Sequence, residues 1–387
     1  MKNQKICIIG GGLSGLITAL SLSKLKINID LVTGNIKENL ASNRTLAISQ
    51  NNYDYFNKIN SYIFTKKEFW PCSQIKLYSE SKNNFFTEIF QIKKENKKVF
   101  YIMESSKVIN YLIKNIKKNK FISLKNDKKV NAISNLGLFK SVRIGNITSK
   151  YNLVIVCTGK NSNLIKNYFP DQSLGYSYDE ESITTTLKHS LLKNNIARQI
   201  FSDNSIFALL PLSNTKTSIV WSIKKNKAKK YLNKKQTQKK IKYYSQNYLK
   251  NIKFLKKIDQ KDLTFFVRYK YFYNRVLLFG DALHSVHPLT GQGFNMTLRD
   301  LSILEKILGD KIKLGLDIGG ADILNEFSSK IKSRNFAFSV GIDFTKRFFS
   351  IKQKPFKSFR NLFLSKLNQN QTVKNFFYNL GDKGLKF

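Results

Sequence analysis

The feature that most constrains the fold of this chain is a glycine cluster close to its first residue. An apolar run at residues 6–9 (ICII) leads directly into GGGLSG at residues 10–15, and the segment LITALSLSKLK that follows has apolar residues at helical spacing. This order predicts a strand, a tight turn and a helix, and a second apolar run at residues 29–32 (IDLV) completes a βαβ unit. Such a start is typical of α/β folds that bind dinucleotides.

The spacing of the glycines gives each of them a separate task. Gly10 permits the tight turn, Gly12 lets the backbone approach a pyrophosphate, and Gly15 lets the helix pack closely on the strand. The first turn of the helix presents N–H groups and the positive end of its dipole to the phosphates. A glycine-rich turn without a ligand is the alternative interpretation of this segment.

Ribose recognition departs from the usual pattern. An acidic residue is expected near the end of the second strand, where its carboxylate binds a ribose hydroxyl. Thr33 stands at that position, with Asp30 inside the strand and Glu38 beyond it. The sequence therefore predicts the phosphate contacts of the cofactor more firmly than the ribose contact.

A second constellation lies at residues 275–300, RVLLFGDALHSVHPLTGQGFNMTLRD. Residues 276–279 read as a buried strand that ends at Gly280 and Asp281, and a new helix is predicted from Gly293 onward. A carboxylate at a strand end can accept hydrogen bonds from a polyol, and backbone amides at a helix start can face the anionic edge of a ring. The alternative for Asp281 is a turn or helix-capping aspartate.

Charge and composition weaken other classes of function without removing them. The net charge of +42 would suit a nucleic-acid partner, but only nine of the 67 basic residues are arginine. The lysines are scattered over the whole chain, as an AT-rich genome would produce, so we expect no nucleic-acid partner. Only three histidines occur, which is too few for a convincing zinc site, so we expect no metal.

The cysteine spacing and the hydropathy of the chain indicate the cellular compartment in which the protein is expected. Cys7, Cys72 and Cys157 form neither a CxxC pair nor a secreted disulfide pattern, which favours a reducing compartment. No apolar run reaches the roughly 18 residues that a membrane-spanning helix needs, and no signal peptide is expected. We expect a cytoplasmic protein, with peripheral contact at the inner face of a membrane.

Residues 280–300 carry the strongest family resemblance. GDALHSVHPLTGQGFNMTLRD resembles the GD motif of group A flavoprotein monooxygenases, whose usual form is GDAAHxxxPxxGQGxNxxxxD. NRTLAIS at residues 43–49, YIMES at 101–105 and ALLPLSNTKTSIVWS at 208–222 resemble the ubiquinone-biosynthesis (Ubi-type) hydroxylases. The resemblance covers nearly the whole chain.

The resemblance implies a fold and a cofactor. The fold is α/β, with a Rossmann-like FAD-binding domain (GR2, para-hydroxybenzoate hydroxylase-like), a second antiparallel-sheet substrate domain and C-terminal helices. The cofactor is FAD, with NAD(P)H or another reductant as electron donor. By resemblance, the residues that contact FAD are Gly10, Gly12, Leu13, Ser14 and Gly15 at the pyrophosphate, Arg44 after the second strand, Asp281 at the ribityl chain, and Pro288, Gly291, Gln292, Gly293, Phe294 and Asn295 around the isoalloxazine. For Arg44, an ordinary surface arginine is the alternative.

The middle motif of the family departs from its usual form. LVIVCTGKNSNLIK at residues 153–166 aligns with ADGxxSxxR, but Thr158 replaces the usual Asp and Ile165 replaces the usual Arg. Gly159 and Ser162 survive, and Lys166 could supply the missing positive charge or be a coincidental neighbour. Because this motif is associated with FAD and NAD(P)H handling, the departures bear on the electron donor more than on flavin binding.

The two glycine motifs lie far apart, so the cofactor domain must be discontinuous. We predict that residues 1–70, 100–166 and 264–350 form the FAD-binding domain, that 71–99 and 167–263 form the substrate domain, and that 351–387 form a helical tail. Alternating stretches such as SITTTLKHS and TSIVWSI predict the antiparallel sheet. The lysine-rich residues 224–257 have helical apolar spacing, and the basic tail could dock on the core or lie on a membrane.

The resemblance implies that reduced flavin reacts with O2 to form a C4a-hydroperoxide, which hydroxylates an electron-rich phenol ring. We assign no catalytic side chain, because the oxidant is the cofactor. The implied partners are a polyprenyl-phenol substrate, O2, a membrane surface and a lipid-biosynthesis protein assembly. Two alternatives stay open, namely another FAD oxidoreductase on this fold, such as an isoprenoid reductase or a halogenase, and a basic nucleic-acid-binding protein.

Overall fold

The computed structural model describes residues 4–36, 40, 43–59, 68–80, 86–94, 98–159, 162–170, 173–202, 205–228, 234–351 and 353–385. Its strands are, in chain order, β1 (Lys5–Ile9), β2 (Asn28–Val32), β3 (Thr45–Ser49), β4 (Trp70–Cys72), β5 (Gln74–Glu80), β6 (Phe86–Lys93), β7 (Phe100–Glu104), β8 (Ile122–Lys125), β9 (Val130–Leu136), β10 (Phe139–Ile144), β11 (Ile147–Tyr151), β12 (Leu153–Val156), β13 (Ser173–Lys188), β14 (Ile196–Phe201), β15 (Ser205–Ser213), β16 (Lys216–Lys224), β17 (Lys253–Phe254), β18 (Asp259–Arg268), β19 (Phe272–Tyr273), β20 (Val276–Leu278) and β21 (His284–Ser285). Its α-helices are α1 (Leu13–Ser23), α2 (Gln50–Ile59), α3 (Ser105–Lys118), α4 (Asn163–Tyr168), α5 (Lys225–Ala228), α6 (Lys234–Ser245), α7 (Gly293–Lys313), α8 (Ala321–Ser350), α9 (Lys354–Leu367) and α10 (Gln371–Lys383).

A six-stranded sheet holds the predicted βαβ unit. Its strand order is β19-β20-β12-β1-β2-β8, and all neighbours are parallel except β19 with β20. Ile8 of β1 lies between Ile155 of β12 and Leu31 of β2 in register, and all three side chains are buried. Strands buried on both faces are expected to be almost continuously apolar, which is why ICII, IDLV and LVIV form this sheet.

A nine-stranded sheet forms a second layer. Eight of its strands follow the order β21-β18-β13-β16-β15-β14-β5-β6, and β17 pairs with β13. The two alternating stretches noted in the sequence lie in β13 and β16, which pair antiparallel as predicted. The pairing of β14 with β5 is parallel, so the sheet is antiparallel in most of its pairs. Between Ser177 and Glu180 the register of β13 shifts at a bulge, where Asp179 adopts a φ of 53°.

Two three-stranded sheets complete the β-structure of the described residues. One has the order β3-β7-β4, and the other is the meander β11-β10-β9. The first contains the NRTLAIS and YIMES segments, because β3 and β7 pair antiparallel through Thr45 and Glu104. It leads directly into α2 and α3, and its buried residues Ile48 and Met103 belong to the main hydrophobic core.

The helices differ from the prediction in one region. We predicted helical structure over residues 224–257. In the described part of this region, residues 224–228 and 234–257, the structure forms the helices α5 and α6 and then the strand β17. α6 ends at Ser245, and Asn251 adopts a left-handed φ of 54° between it and β17. Among the described residues, no helix is long and apolar enough to span a membrane.

The C-terminal helix docks on the core. The carboxylate of Asp382 on α10 accepts a hydrogen bond from the backbone N of Asn51 at 2.7 Å, and its carbonyl accepts one from the hydroxyl of Ser49 at 3.0 Å. Ser49 ends β3, so α10 lies against the strand-to-helix junction that begins α2.

Candidate functional site

Three strand ends meet at the carboxyl edge of the six-stranded sheet. The backbone N of Gly10 donates to the carbonyl of Val32, that of Cys157 donates to Ile9, and that of Phe279 donates to Val156, all at 2.8–2.9 Å. The chain turns away from the sheet directly after each of these bonds. The glycine turn, the middle motif and the GD segment are therefore neighbours in space, at the edge where open α/β sheets bind ligands.

Packing within the protein requires two of the glycines in the turn, Gly10 and Gly15, but it does not require Gly12. Gly10 has a φ of 137°, and a Cβ on Gly15 would lie 2.0 Å from the carbonyl oxygen of Gly10, so neither position accepts a side chain. Gly12 is different, because its φ of −81° suits any residue and a Cβ there would meet no atom within 4 Å. The space above Gly12 is open, and the described residues provide no side-chain cap and no acidic residue in the first turn of α1.

The GD segment packs directly on the first turn of α1. Gly280 has a φ of 61°, and a Cβ on it would lie 2.5 Å from the hydroxyl oxygen of Ser14. The next residue, Asp281, is exposed. Burial raises the pKa of the Cys157 thiol, and the charge of Asp281 raises it further, which places the Asp281 carboxylate close to the middle motif. Leu13, beside Ser14, is half-buried against the main core.

The side chain of Asn295 holds the start of α7 in place. Its Oδ1 accepts hydrogen bonds from the backbone N of Ser49 and the Nδ2 of Asn52, both at 3.0 Å. Its Nδ2 donates to the carbonyls of Ala47 at 2.8 Å and Gly291 at 3.1 Å. These four bonds saturate the amide, so the side chain of Asn295 fixes the loop before α7, and only its backbone is left to face a ligand.

The loop before α7 is compact. A 3-10 turn spans Pro288–Thr290, and Gly291 follows with a φ of 61° and a Cβ position 3.1 Å from the Cβ of Ala47. Gln292 is buried, and its Oε1 accepts a hydrogen bond from Arg299, whose pKa burial lowers to about 10. Gly293 then begins α7, which has no acidic residue in its first turn. Phe294 is half-buried against the main core.

A buried ionic network supports this loop from the large sheet. His287 Nδ1 accepts a hydrogen bond from the backbone N of Leu289 at 3.1 Å, so it carries no proton, and Nε2 lies 3.2 Å from Oε2 of Glu180, to which it donates. Lys346 Nζ lies 2.9 Å from the other oxygen of Glu180. Burial raises the pKa of Glu180, but the bonds from His287 and Lys346 outweigh it and lower that pKa overall. This network could not be predicted from the sequence, because the three residues lie in separate segments and a bulge positions Glu180.

Arg44 lies at the start of β3. Its carbonyl accepts a hydrogen bond from the backbone N of Ser105, and its side chain is exposed. Burial lowers the pKa of Lys261 on β18, and the positive charge of Arg44 lowers it further. Arg44 therefore lies close to Lys261 of the large sheet.

The middle motif leaves one polar group unsatisfied. The hydroxyl of Thr158 is buried without a hydrogen-bond partner among the described residues, although buried hydroxyls are nearly always bonded. Gly159 is exposed, and Ile165 is buried in the main core, where an arginine could not be solvated. Lys166 is exposed and lines, together with Arg268, a cavity of about 660 Å³ beside the paired strands β13 and β18.

Asp30, the acidic residue inside the second strand, makes contacts that stabilise the fold. Asp30 accepts a hydrogen bond from the Tyr151 hydroxyl at 2.6 Å and pairs with Lys5 at 2.8 Å, so its carboxylate is occupied. The Thr33 hydroxyl donates to Asn126 at 3.1 Å. Glu38 lies outside the described residues.

Taken together, these groups fit an elongated nucleotide cofactor. The open, uncapped start of α1 suits a pyrophosphate, the exposed carboxylate of Asp281 suits hydroxyl groups, and the unpaired Thr158 hydroxyl is left for a ligand to satisfy. Among the described residues, no three His, Cys, Asp or Glu side chains are grouped as a metal site would require.

Comparisons with known proteins agree with this geometry. Residues 104–326, more than half of the chain, match the family model described as FAD binding domain. One relative, from Dictyostelium discoideum, is named "ubiquinone biosynthesis monooxygenase COQ6, mitochondrial". It is 25% identical to this chain, and the match covers 99% of this chain and 92% of that protein. The protein of the same name in Caenorhabditis elegans is 26% identical, covering 96% of this chain and 94% of that protein.

Solved structures share the fold at low sequence identity. The crystal structure of p-nitrophenol 4-monooxygenase PnpA from Pseudomonas putida DLL-E4 matches with a TM-score of 0.82 at 13% identity, covering 100% of this chain and 99% of that chain. The structure of Klebsiella pneumoniae HpxO complexed with FAD and uric acid matches with a TM-score of 0.76 at 13% identity, covering 98% and 96%. These likenesses confirm the predicted fold class.

Proposed function

The chain belongs to the FAD binding domain family, and from this premise we propose that it hydroxylates the ring of a polyprenylated phenol in ubiquinone biosynthesis. It is a flavoprotein monooxygenase with FAD as its cofactor and NAD(P)H or another reductant as its electron donor. Relatives named ubiquinone biosynthesis monooxygenase match this chain over 92% and 94% of their own length, which confirms the resemblance to Ubi-type hydroxylases. The substrate itself is proposed from the names of those relatives.

One observation carries the cofactor part of the proposal. The glycine turn and the GD segment lie more than 260 residues apart in the sequence, yet Gly280 packs on Ser14 and the space above Gly12 stays open. Packing alone explains Gly10, Gly15 and Gly280, but it does not explain Gly12. Because Gly12 lies in the glycine turn directly before α1, its open position supports a ligand that approaches the backbone there.

We propose these roles for the site residues. The amides of the turn from Gly10 to Gly15, which includes Leu13 and Ser14, bind the pyrophosphate. Asp281 accepts hydrogen bonds from the ribityl hydroxyls, and Arg44 supplies positive charge from β3. The ring of the cofactor is lined by Pro288, Gly291, Gln292, Gly293, Phe294 and the backbone of Asn295.

The protein positions the cofactor and surrounds it with fixed groups that exclude water. Bound FAD supplies the redox chemistry with O2 that the hydroxylation requires. The backbone amides at the start of α7 would stabilise negative charge on the flavin ring when FAD is bound. No acidic side chain in that first turn opposes them. Asn295 from one side and His287 from the other hold these amides in place, so little reorganisation is needed during the reaction.

We also propose the division of the chain and its location. In this division the six-stranded sheet would belong to the discontinuous FAD-binding domain and most of the nine-stranded sheet to the substrate domain. The substrate class implies work at a membrane surface and contact with other proteins of lipid biosynthesis. The relatives are mitochondrial by name, and we propose peripheral contact at the inner face of a membrane for this chain.

The test is a reconstituted hydroxylation. Purified protein is expected to show flavin absorption bands and, with NADPH or a reduced ferredoxin and a polyprenyl phenol in vesicles, to form a product that gains one oxygen atom from ¹⁸O2. The Asp281→Ala variant serves as the matched control, because it removes the proposed ribityl contact from an exposed position and should lose the flavin bands. Protein that binds no FAD even after reconstitution would refute the proposal. Saturation of the prenyl chain without oxygen incorporation would assign a reductase instead.

A further inference from the structure

The two helices α8 and α9 carry a row of exposed apolar side chains that the site does not use. We call it the aromatic ridge. Its exposed members are Phe336, Val340 and Phe344 on α8 and Phe359, Leu362 and Phe363 on α9, and the half-buried Phe348 and Phe356 join the two groups. Phe344 is 68% exposed, Phe359 62% and Leu362 57%. Side chains as large as these are rarely left in water as a group unless they meet another surface.

The members of the ridge are contiguous. Those on α8 are spaced by four residues and so lie on one face of the helix. Phe344 stacks on Phe348 with ring centroids 6.4 Å apart, and Phe348 meets Phe356 edge-on at 5.7 Å, which carries the row from α8 to α9. Phe359 then stacks on Phe363 at 6.2 Å along α9.

The ridge is held rigidly on the core. Arg360 is buried, and its Nη1 donates to the carbonyl of Phe349 at 3.0 Å, which fixes the start of α9 against the end of α8. Phe349 stacks on Phe201 of the large sheet with centroids 3.8 Å apart and packs in a cluster with Leu289 of the loop before α7. The exposed rings therefore sit on a fixed base that adjoins the proposed flavin loop.

We propose that the aromatic ridge inserts into the surface of an anionic lipid bilayer. Besides the buried Arg360, residues 351–381 contain five lysines and no aspartate or glutamate, which suits anionic headgroups. Because lysine is in excess along the whole chain, charge alone does not select this face, and the aromatic row does. A second copy of the chain would bring two such basic segments together, which opposes self-association through the ridge.

This inference deepens the proposed function. It rests on that function only for the reason why the enzyme meets a membrane, whereas the contact surface itself is the aromatic ridge. A phenol with a polyprenyl tail resides in the bilayer, so an enzyme that docks there meets its substrate without extracting the tail into water. Apolar rings with flanking cations are the pattern of interfacial anchors that lie in the headgroup region rather than span the membrane.

The test is co-flotation of the FAD-loaded protein with vesicles of phosphatidylcholine alone and of phosphatidylcholine with phosphatidylglycerol. The full chain is expected to float with the anionic vesicles and to bind the neutral ones more weakly. The double variant Phe359→Ser with Phe363→Ser is expected to lower the partition constant by about tenfold to a hundredfold. The matched control is Leu138→Ser with Leu191→Ser, which removes side chains that are 73% and 78% exposed elsewhere and should leave the constant unchanged.

Each other outcome has a definite meaning. Equal flotation of the ridge variant and the full chain, or no flotation of either, would overturn the inference. A change from dimer to monomer in the ridge variant by light scattering, without a change in flotation, would also overturn it and assign the ridge to a second copy. Flavin content and melting temperature, expected to match the parent protein, show that the variant is folded. Hydroxylation of a phenol without a prenyl tail should survive in the ridge variant, so normal flotation without any hydroxylation would refute only the proposed function.

Discussion

The sharpest prediction concerns Gly12, where the protein itself accepts a larger residue. In the Gly12→Ala variant the new Cβ meets no atom within 4 Å, and the φ of −81° with ψ of 177° is an ordinary extended conformation for alanine. The protein without FAD should therefore fold. The lower entropy of its unfolded chain stabilises it by about 0.4–1 kcal/mol. The preference for glycine over alanine at this N-cap position costs a similar amount, so the net change in stability should stay below about 1 kcal/mol. The cost should appear only when FAD binds.

The size of that cost follows from hydrogen-bond geometry. A phosphate oxygen bonded to the amides of this turn lies about 2.9 Å from a backbone nitrogen. A methyl group above the turn forces the phosphate outward and weakens one or two bonds to a charged acceptor, each worth about 1.5–3 kcal/mol. The Kd of FAD should therefore rise by about tenfold to a hundredfold, which is about 1.4–2.8 kcal/mol of binding free energy.

The assay compares binding with folding in three variants. FAD is removed from each protein, its Kd is measured by quenching of flavin fluorescence, and the stability without FAD is measured by urea denaturation. Gly15→Ala is the packing control, since its Cβ would lie 2.0 Å from the Gly10 carbonyl and should destabilise the protein by about 3 kcal/mol. Gly341→Ala, on an open position of α8, should stabilise the protein by about 0.5–1 kcal/mol and leave the Kd unchanged.

Two results would refute the reasoning. Wild-type FAD affinity in Gly12→Ala would mean that the pyrophosphate does not lie above this glycine. A Gly12→Ala protein that is destabilised without FAD by more than about 2 kcal/mol, which is beyond the N-cap preference, would mean that the space above the turn is filled by the chain itself. The argument from Gly12 to a ligand would then fail.

Two further predictions concern the supports of the loop before α7. Asn295→Ala removes four hydrogen bonds and leaves the Ser49 N–H and the Ala47 carbonyl unsatisfied, so urea denaturation should show a loss of about 3 kcal/mol, and a loss below 1 kcal/mol would contradict the role given to this amide. Burial lowers the pKa of His287, so the unfolded chain takes up the proton first and stability should fall as the pH drops below about 6.5. The His287→Gln variant keeps a donor for Glu180 but does not titrate, so its melting temperature should fall less between pH 6.5 and pH 5 than that of the parent, and parallel curves would exclude His287 as the group responsible.

Local patterns explain why the cofactor motifs could be predicted from the sequence. The order of β1, turn and α1 depends on neighbouring residues, because an apolar run, three glycines and helical spacing each act within a few positions. The same holds for β20, the turn at Asp281 and the start of α7. The contact that joins the two segments, Gly280 on Ser14, was not visible in either pattern and entered through the resemblance to a known family.

Residues that act across large sequence separations were missed for a physical reason. Glu180 lies in a stretch whose alternation predicts a strand, but the bulge after Ser177 shifts the register and brings the carboxylate to His287 and Lys346. A bulge is a property of strand pairing, which composition and periodicity do not contain. Asn52 was missed likewise, since its bond to Asn295 depends on how α2 and α7 meet.

The geometry of α8 links the proposed membrane contact to the proposed cofactor loop. Phe344 and Lys346 are two residues apart and so point to opposite sides of the helix, the first into solvent and the second to Glu180 below the loop. An α-helix with its side chains is about 10 Å across, so a bilayer in contact with Phe344 lies about one helix diameter from that network. A phenol ring held at the loop could then keep most of a long tail in the lipid. The same helix would thus set the distance between the reacting ring and the membrane, which a flexible tether could not do.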